Sequence, residues 1–458
     1  MKKNYLASLL IISLLLPFLT ACGSSSDDNS SIISQTTGSN DTSSSTGTST
    51  STGTSTSTET NTNTNTNTNT GSSTSTSISN ITSGSASVSF SGTSKTISAA
   101  YLIDGVTVNI DSGTYSSSSS SSDQVVFLVV NGGKLNITGT SSNPVVINKS
   151  GSAASGGQVD DNYNFYGINS GIVVAGSGSS ATISNATITT NSNGANAVVS
   201  TVGANVTISN STITTTGSAG SRGLHATYNG TITADNVTIT TQGASCASLA
   251  TDRGGGTINA SNMTLETNSN GSPLVYSTGE INVTSSTGTA NSAQMVVVEG
   301  GSSATLTSCN FSCTGAGNRS GTSESNSSTH TIDAAGIFIY QSMSGDASAG
   351  TDYFTSTNST LKVTTSGVPM FYCTNITASI ALNGNTFTQA SSDDYLLMAE
   401  EQNQWGTVGS NGGKVSVSLT NQNLASYKAF KGGSSSNSLS VSATDSSTTA
   451  ITTFTGTW

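Results

Sequence analysis

A phrase of alternating polar and β-branched residues recurs along this chain with a period near 25 residues. Within each copy, Thr, Ile and Val alternate with Ser, Thr or Asn, which favours a strand with one buried face over a helix. A short strand unit repeated at a fixed period cannot bury its apolar face alone, so successive copies must stack. The repeat therefore predicts an all-β solenoid.

Each copy of the phrase carries one asparagine at a shared place. These positions step by 25, 26, 26, 48 and 48 residues, and we interpret each 48 as two coils of 24 with a degenerate one between. The residues are Asn185, Asn210, Asn236, Asn262, Asn310 and Asn358. An amide at the same bend of stacked coils can donate to a carbonyl of one neighbouring coil and accept from the other. We expect a structural asparagine ladder, with glycan contact as the alternative use.

Short strands, one Asn per coil and Gly-rich bends together resemble the right-handed parallel β-helix of the pectate-lyase type. The resemblance implies a single β-helix of roughly 14 coils, stacked about 4.8 Å apart. No second linker interrupts the repetitive region. We therefore assign residues 86–458 to one β-helix domain.

The N-terminus has the layout of an export signal, with two lysines followed by an apolar run from Leu6 to Leu19. This run is too short for a transmembrane helix, which needs about 20 apolar residues. It ends in a Leu-Thr-Ala-Cys sequence that resembles the bacterial lipobox, which implies a signal peptide over residues 1–21 and a lipid on Cys22. An ordinary signal peptide is the alternative. In proteins with this sequence an Asp after the cysteine marks retention in the inner membrane, so the resemblance, with Gly23 at that position, implies the outer membrane or cell surface.

Residues 22–85 consist almost entirely of Ser, Thr, Asn and Gly after the cysteine. Such a segment has too little apolar surface to offset the entropy of ordering. It predicts a disordered tether between the lipid and the β-helix.

Charge excludes one class of partner. The chain has 12 basic and 23 acidic residues, a formal net charge of −11, and only three of the basic residues are Arg. Binding to a phosphate backbone needs clustered Lys and Arg. Nucleic acid is therefore excluded as a partner.

Four cysteines remain besides Cys22, at positions 246, 309, 313 and 373. On one strand Cys309 and Cys313 would lie about 13 Å apart, beyond the limit of about 7 Å for a disulfide. We expect free buried thiols, with a pair formed across a bend as the alternative.

A second set of four-residue strands precedes the Asn phrases by a third to half of a coil. If the first residue of each quartet faces the core, the second faces outward. The predicted outward stripe consists of Val199, His225, Leu249, Tyr276, Val298, Tyr340 and Tyr372. The bend after it carries Tyr228, Asp252 and Arg253, so most of the unusual residues of the chain fall on one face.

Several longer phrases are similar to those of bacterial surface β-helix proteins that are usually labelled adhesin-like. They are residues Ser221–Asn236, Thr251–Thr257, Gly271–Gly279, Tyr340–Asp346 and Trp405–Gly413. The resemblance implies a surface-displayed β-helix, but it carries no ligand and no activity with it.

The stripe predicts binding of a glycan or a host-surface ligand without catalysis, cofactor or metal. Sugar rings would stack on tyrosines, while charged groups would bond their hydroxyls. The candidate contacts are His225, Tyr228, Asp252, Arg253, Tyr276, Glu299, Tyr340 and Tyr372. The alternative for each tyrosine is a stacked, half-buried rung that stabilises its neighbours, and Arg253 has an ion pair with Asp252 or Asp235 as its alternative.

Three other functions stay open. A polysaccharide lyase would need several carboxylates holding Ca²⁺ and a basic residue, for which only Asp235, Asp252 and Arg253 are neighbours. A glycoside hydrolase would need two facing acids about 5–9.5 Å apart. Asp252 could form such a pair with Asp235 or Glu299 only if the strand register happened to bring the two carboxyl groups to that distance. The last alternative is a structural rod that binds nothing.

Two acidic pairs have simpler interpretations. Asp160 and Asp161 lie in an insertion that is a Ca²⁺ candidate, with an exposed loop as the alternative. Glu400 and Glu401 predict a solvated rim, with Trp405 packing at a late coil or cap.

Overall fold

The computed structural model describes residues 75–155, 160–342, 347, 349–405, 411–422, 424, 431–432 and 437–443. The predicted signal peptide, Cys22 and most of the predicted tether lie outside these residues. The first strand, Ser75–Ser77, falls inside the segment predicted as tether. Among the described residues, no helix has the length and apolar character needed to cross a membrane.

The described part of the chain is all-β, with a 3-10 turn at Ile78–Asn80 and one short α-helix at Asp161–Asn164. Within it, 21 strands form one parallel sheet, which we call the large sheet, and 13 strands form a second, the narrow sheet. The all-β class and the long parallel pairing predicted from the repeat are thereby confirmed.

The large sheet has two strips of strands, one on each side of the bend that the Asn phrase contains. The strip before the bend comprises Ser75–Ser77, Thr107–Ile110, Lys134–Thr138, Ser180–Ser184, Asn205–Thr215, Gly230–Thr241, Gly256–Ser261, Glu280–Thr284, Ser303–Thr307, Thr351–Thr357, Thr377–Asn383, Lys414–Thr420 and Ser438–Ala443. The strip after it comprises Thr114–Ser116, Val145–Lys149, Ala186–Thr190, Thr264–Thr267, Thr287–Ala290, Asn310–Cys313, Thr360–Val363 and Thr386–Thr388. Two long strands, Asn205–Thr215 and Gly230–Thr241, run through both strips.

The narrow sheet begins with an antiparallel hairpin and continues with parallel pairs. Its strands are Gly84–Phe90, Thr93–Asp104, Gln124–Val130, Ile172–Ala175, Val198–Thr201, Leu224–Thr227, Leu249–Thr251, Val275–Ser277, Val296–Glu299, Ile337–Tyr340, Phe371–Thr374, Leu397–Ala399 and Lys431–Gly432. A separate antiparallel hairpin pairs Ser320–Ser323 with Asn326–Thr331.

One side chain from each copy stacks on the corresponding side chain of the next to form the core. In the strip after the bend, Ile188 pairs with Ile213, and Ile213 pairs with Ile239. All three are fully buried, and burying an aliphatic side chain of this size stabilises a fold by about 1.5–3 kcal/mol. Because such apolar rows continue in register from copy to copy, the buried side chains form one continuous core.

The bend between the strips requires a left-handed backbone, which explains the recurring asparagine. Asn and Gly adopt positive φ more easily than other residues. The bend is occupied at φ between 48° and 56° by Asn185, Asn210, Asn236, Asn262, Ser285, Ser308 and Asn358. Asn310, placed in the ladder by sequence, lies instead in the strand Asn310–Cys313, two residues past the bend that Ser308 holds.

The side chains of this row are bonded in part as predicted. Asn185 donates to the carbonyl of Gly139 at 2.9 Å. Asn236, however, donates to the side-chain oxygen of Asn210 at 2.8 Å, and Asn262 to the carboxylate of Asp235 at 2.7 Å. The shared requirement is therefore the bend conformation, because the side-chain partners differ from coil to coil.

The second step of 48 residues does not contain a degenerate coil, contrary to the prediction. Strand Ser303–Thr307 pairs directly with Thr351–Thr357, and Asn310–Cys313 pairs directly with Thr360–Val363. The intervening residues include the hairpin of Ser320–Ser323 and Asn326–Thr331. The first step does contain an intermediate strand, Glu280–Thr284, as expected.

The cysteines behave as predicted. Cys309, Cys313 and Cys373 are buried free thiols, and the buried thiol of Cys246 donates to the Ala244 carbonyl at 3.1 Å. Burial raises the pKa of Cys313 to about 12 and raises the pKa of Cys373 still further above its ordinary value. These groups are packed apolar side chains and not reactive nucleophiles.

Candidate functional site

The predicted outward stripe is partly out of register. The outward row of the narrow sheet consists of Val199, His225, Ala250, Tyr276, Val297, Phe338 and Tyr372. Leu249 and Val298, predicted to face outward, instead join the main core. A shift of one residue moves a side chain to the opposite face of a strand, so misaligning two quartets by one position placed these two on the wrong face.

The stripe is also covered, which corrects its predicted accessibility. Tyr276, Tyr340 and Tyr372 are 2%, 5% and 4% exposed. Two covers lie on this face of the narrow sheet. The first cover includes Tyr163, Phe165, Tyr166 and Ile168, which cluster with Val88, Phe90 and Ile97 of the sheet's own first hairpin. The second cover includes Ile332, Ala335 and Trp405.

The covers are a physical consequence of the stripe. An outward row of valine, phenylalanine and tyrosine is a large apolar surface, and leaving it in water would forgo the stabilisation that its burial provides. Trp405 closes one end, with its ring centroid 4.7 Å from that of Tyr340 and 5.5 Å from that of Phe338. Its predicted packing at a late coil agrees with this position.

Between the two covers lies a buried polar cluster. Arg222 donates to Asp252 Oδ2 at 3.1 Å and to Asn164 Oδ1 at 3.1 Å. His225 Nε2 lies 3.8 Å from the same Asp252 oxygen, and neither ring nitrogen of His225 has a hydrogen-bond partner among the described residues. Burial, with a further contribution from the Arg222 charge, lowers the pKa of His225 well below its ordinary value. His225 is therefore a neutral, enclosed side chain and not a ligand contact.

Among the described residues, the Arg253 guanidinium forms its ion pair with neither Asp252 nor Asp235, the two partners weighed from sequence, although the Arg253 N–H donates to Asp252 Oδ1 at 3.2 Å. Its guanidinium donates to Asp161 Oδ2 at 2.9 Å and lies 3.9 Å above the ring of Phe165. Asp160 caps the short helix by accepting from the N–H of Asn162 at 2.8 Å. The two aspartates considered for Ca²⁺ thus hold the first cover in place.

Glu299 lies beneath the second cover with two predicted ligand contacts as its partners. Tyr340 donates to Glu299 Oε2 at 2.7 Å, and Tyr276 donates to the same oxygen. Burial raises the pKa of Glu299 to about 7, although hydrogen bonds from Ser342 and both tyrosines lower it. Glu299, Tyr276 and Tyr340 therefore belong to one buried hydrogen-bonded group.

The predicted solvated rim is also wrong. Glu400 and Glu401 are 3% and 1% exposed. Glu400 accepts from the hydroxyl of Tyr372 at 3.1 Å, and the carbonyl of Glu401 accepts from the N–H of Glu324 at 3.1 Å. The inserted hairpin buries both glutamates, and the repeat pattern gave no sign of where that hairpin docks.

An open groove lies beside the covered face, at the bend that leads from the narrow sheet to the large sheet. Its volume is about 600 Å³. Glycines from three successive bends form much of its floor: Gly254, Gly255, Gly256, Gly279, Gly300 and Gly301. Close packing requires some of them, since a Cβ at Gly279 would lie 2.5 Å from the backbone of Gly256.

One wall of the groove is an outward row of the large sheet. Thr257, Glu280, Ser303 and Tyr353 follow one another in register on four paired strands. Three strand spacings give this wall a length of about 14 Å. Tyr353 is 53% exposed, and no other large apolar side chain among the described residues is exposed.

A buried carboxylate lies beneath the groove. Asp352 follows the alternation of its strand inward and accepts from the N–H of Ser302 at 3.0 Å. Burial raises the pKa of Asp352 to about 7, and the charge of Glu299 adds to that effect. Asp352 thus holds the Gly300–Ser302 bend from the inside while Tyr353 faces the groove.

Sequence reasoning missed Tyr353 and Glu280. Both occupy outward positions of strands that begin directly after Gly-rich bends, a signal that was present in the sequence. Among the eight predicted contacts, only Arg253 keeps a substantially exposed side chain, at 27%. The described residues contain no cluster of three His, Cys, Asp or Glu side chains suited to a metal ion.

Comparisons with known proteins found no matching family model, no matching curated protein and no matching solved structure.

Proposed function

We propose that this protein is a membrane-anchored, surface-exposed β-helix that binds extracellular carbohydrate without catalysis. The observation that carries the proposal is the groove of about 600 Å³, with the exposed ring of Tyr353 on its wall. Sugars bind where an aromatic face meets their C–H groups and polar side chains bond their hydroxyls. Glu280, Thr257 and Asn229 supply such polar groups along the same groove.

We infer that the two sheets form one right-handed parallel β-helix of roughly 14 coils. The narrow sheet has 13 strands among the described residues. After its antiparallel first pair, each strand pairs in parallel with its equivalent in the next copy. Parallel crossover connections are right-handed in about 98% of cases. This architecture would place the groove along several consecutive coils, as an extended glycan requires.

The absence of catalysis is proposed from the composition of the groove. Glycoside hydrolysis needs two carboxyl groups on opposite sides of the bond, and a lyase needs carboxylates for Ca²⁺ together with a base. Glu280 is the one carboxylate among the described residues that line the groove. The resemblance to adhesin-like surface proteins is consistent with binding alone.

The binding proposal is tested with the full-length protein on an array of plant, microbial and host glycans. We expect retention of at least one glycan, about tenfold weaker for Tyr353→Ala and nearly unchanged for Tyr353→Phe, which keeps the ring. Full retention by Tyr353→Ala would contradict the groove as the binding site. Release of shortened or unsaturated oligosaccharides would favour the enzyme alternative.

The anchor is tested separately at Cys22. In a bacterial host, the wild-type chain should incorporate labelled palmitate and partition with membranes, while Cys22→Ser should be exported and soluble. Membrane partition of the Cys22→Ser variant would contradict lipid attachment at this residue. The two tests are independent, because neither anchoring nor its loss changes the groove.

A further inference from the structure

The groove has an acidic character that restricts which glycan it can take. Glu280 lies on the wall and is the one carboxylate among the described residues that line the groove. The cationic side chain nearest to the groove glycines in sequence is Arg253, and its partly exposed guanidinium is paired with Asp161. The negative charge of the groove is therefore not balanced by a cation among its described lining residues.

Glu280 is fixed in place by a row of amides. Asn282 donates to Glu280 Oε1 at 2.8 Å and to Asn259 Oδ1 at 3.0 Å. Asn282 follows Glu280 by two residues on one strand, so both side chains face outward. The carboxylate is thus held beside the groove as an acceptor for a ligand hydroxyl.

We propose that the groove binds neutral glycan chains and discriminates against uronate-containing chains, with Glu280 as the selectivity-determining residue. This inference rests on the proposed carbohydrate-binding function. A neutral sugar would stack on Tyr353 and donate hydroxyls to Glu280. A uronate would bring a second negative charge close to the Glu280 carboxylate, and the described residues that line the groove include no cation to neutralise it.

The size of the discrimination follows from Coulomb's law. For two like charges about 5 Å apart, the repulsion in water weakens binding roughly fourfold, and a lower effective dielectric near the protein surface makes the effect larger. Salt screens such interactions over about 10 Å at 0.1 M ionic strength. The discrimination should therefore be strongest at low ionic strength and should fade as salt is added.

The direction of the chain in the groove follows from the same register. The wall formed by Thr257, Glu280, Ser303 and Tyr353 crosses four strands nearly perpendicular to their direction. A glycan lying along this wall would therefore run from strand to strand over about 14 Å. This length fits a short stretch of an extended chain better than a single sugar.

The test compares matched neutral and uronate oligosaccharides, namely β-glucan, xylan and mannan fragments against oligogalacturonate and alginate fragments, at low and high salt. We expect the wild-type protein to retain neutral chains and to bind uronates at least fourfold more weakly at low salt. Glu280→Gln should raise uronate binding by about that factor. Glu266→Gln is the matched control, because Glu266 is an exposed strand glutamate that also contacts an amide, Asn291, at 3.3 Å but lies outside the groove.

Each outcome decides between the two proposals. Equal binding of neutral and uronate chains, or no gain of uronate binding by Glu280→Gln, would overturn the selectivity while the carbohydrate-binding function stands. A gain of the same size in Glu266→Gln would assign the effect to net charge and would likewise overturn the role of Glu280. Binding of no glycan, or binding that Tyr353→Ala leaves intact, would overturn the proposed function at this groove and the selectivity with it.

Discussion

Tyr340 donates its hydroxyl to Oε2 of Glu299 at 2.7 Å, and the two residues are direct partners on neighbouring strands of the narrow sheet. Both are buried, although their composition predicted a ligand-binding face. The tyrosine hydroxyls donate hydrogen bonds to a carboxylate that would otherwise be costly to bury. What the sequence presents as a binding stripe is, in the structure, the contact surface for a covering segment.

This burial makes stability depend on pH. The pKa of Glu299 is raised from 4.5 to about 7 in the folded protein, so its contribution to stability is fully present below about pH 4.5 and is lost as pH rises through 7. We expect the melting temperature to fall between pH 5 and pH 8. Glu299→Gln should flatten that fall, because glutamine stays neutral.

The same experiment has an internal check. Asp352 has its pKa raised to about 7 for the same reason, so a residual slope should persist in Glu299→Gln and should diminish further when Asp352→Asn is added. Glu266→Gln, on the exposed face, should leave the melting profile unchanged. An identical slope in wild type and Glu299→Gln would show that Glu299 is not a buried titrating group.

The Arg222–Asp252 pair gives a second prediction. The two side chains are 3% and 5% exposed and lie 3.1 Å apart. Removing one partner leaves an uncompensated buried charge, which costs about 3–5 kcal/mol. Asp252→Asn and Arg222→Met should each lower the free energy of unfolding by this amount in urea titrations. The double variant should lose less than the sum of the two, and strict additivity would contradict the pairing.

Much of the fold was predictable because the repeat is dictated by local chemistry. Positive φ at the bend favours Asn, and the inward row favours residues such as Ile213 and Ile239. Both requirements recur in every coil, so their spacing is visible in the sequence. At one bend Ser308 takes the place of Asn. Because Ser is common throughout this chain, it does not mark the bend in the sequence, and the nearby Asn310 was assigned to the bend row instead.

The site was less predictable for a different reason. Exposure of Tyr276 or Tyr372 depends on whether another segment covers it, and the covering hairpin around Ser320–Thr331 does not repeat. The hairpin docks through contacts between residues that are far apart in the sequence, and the periodicity of the repeat does not indicate such contacts. Tyr353, in contrast, lies in a regular strand with an alternating burial pattern, so its outward position could have been found from the strand pattern alone.

The bend row supplies a third prediction. Asn236 has φ 53°, and a left-handed conformation costs an ordinary residue roughly 1–2 kcal/mol. Asn236→Ala should therefore lower the free energy of unfolding by about 1 kcal/mol, and Asn236→Gly should change it little. Asn310→Ala is the matched control, because Asn310 has a strand conformation, and an equal loss there would contradict the assignment of the bend to Ser308.

The fourth prediction concerns access to the groove. Gly255 has φ 66°, and a Cβ placed on it would meet no atom within 4 Å. Asparagine tolerates positive φ better than other side chains, so Gly255→Asn should fold and place an amide on the groove floor. We expect glycan binding to weaken at least tenfold while the melting temperature shifts by no more than a few degrees.

Gly132→Asn is the matched control, since Gly132 has φ 78° and equal space but lies outside the groove. Because the two variants introduce the same side chain in the same backbone region, weaker binding in Gly255→Asn alone would locate the ligand on the glycine floor. Equal glycan binding by Gly255→Asn and Gly132→Asn would show that the ligand does not contact the glycine floor.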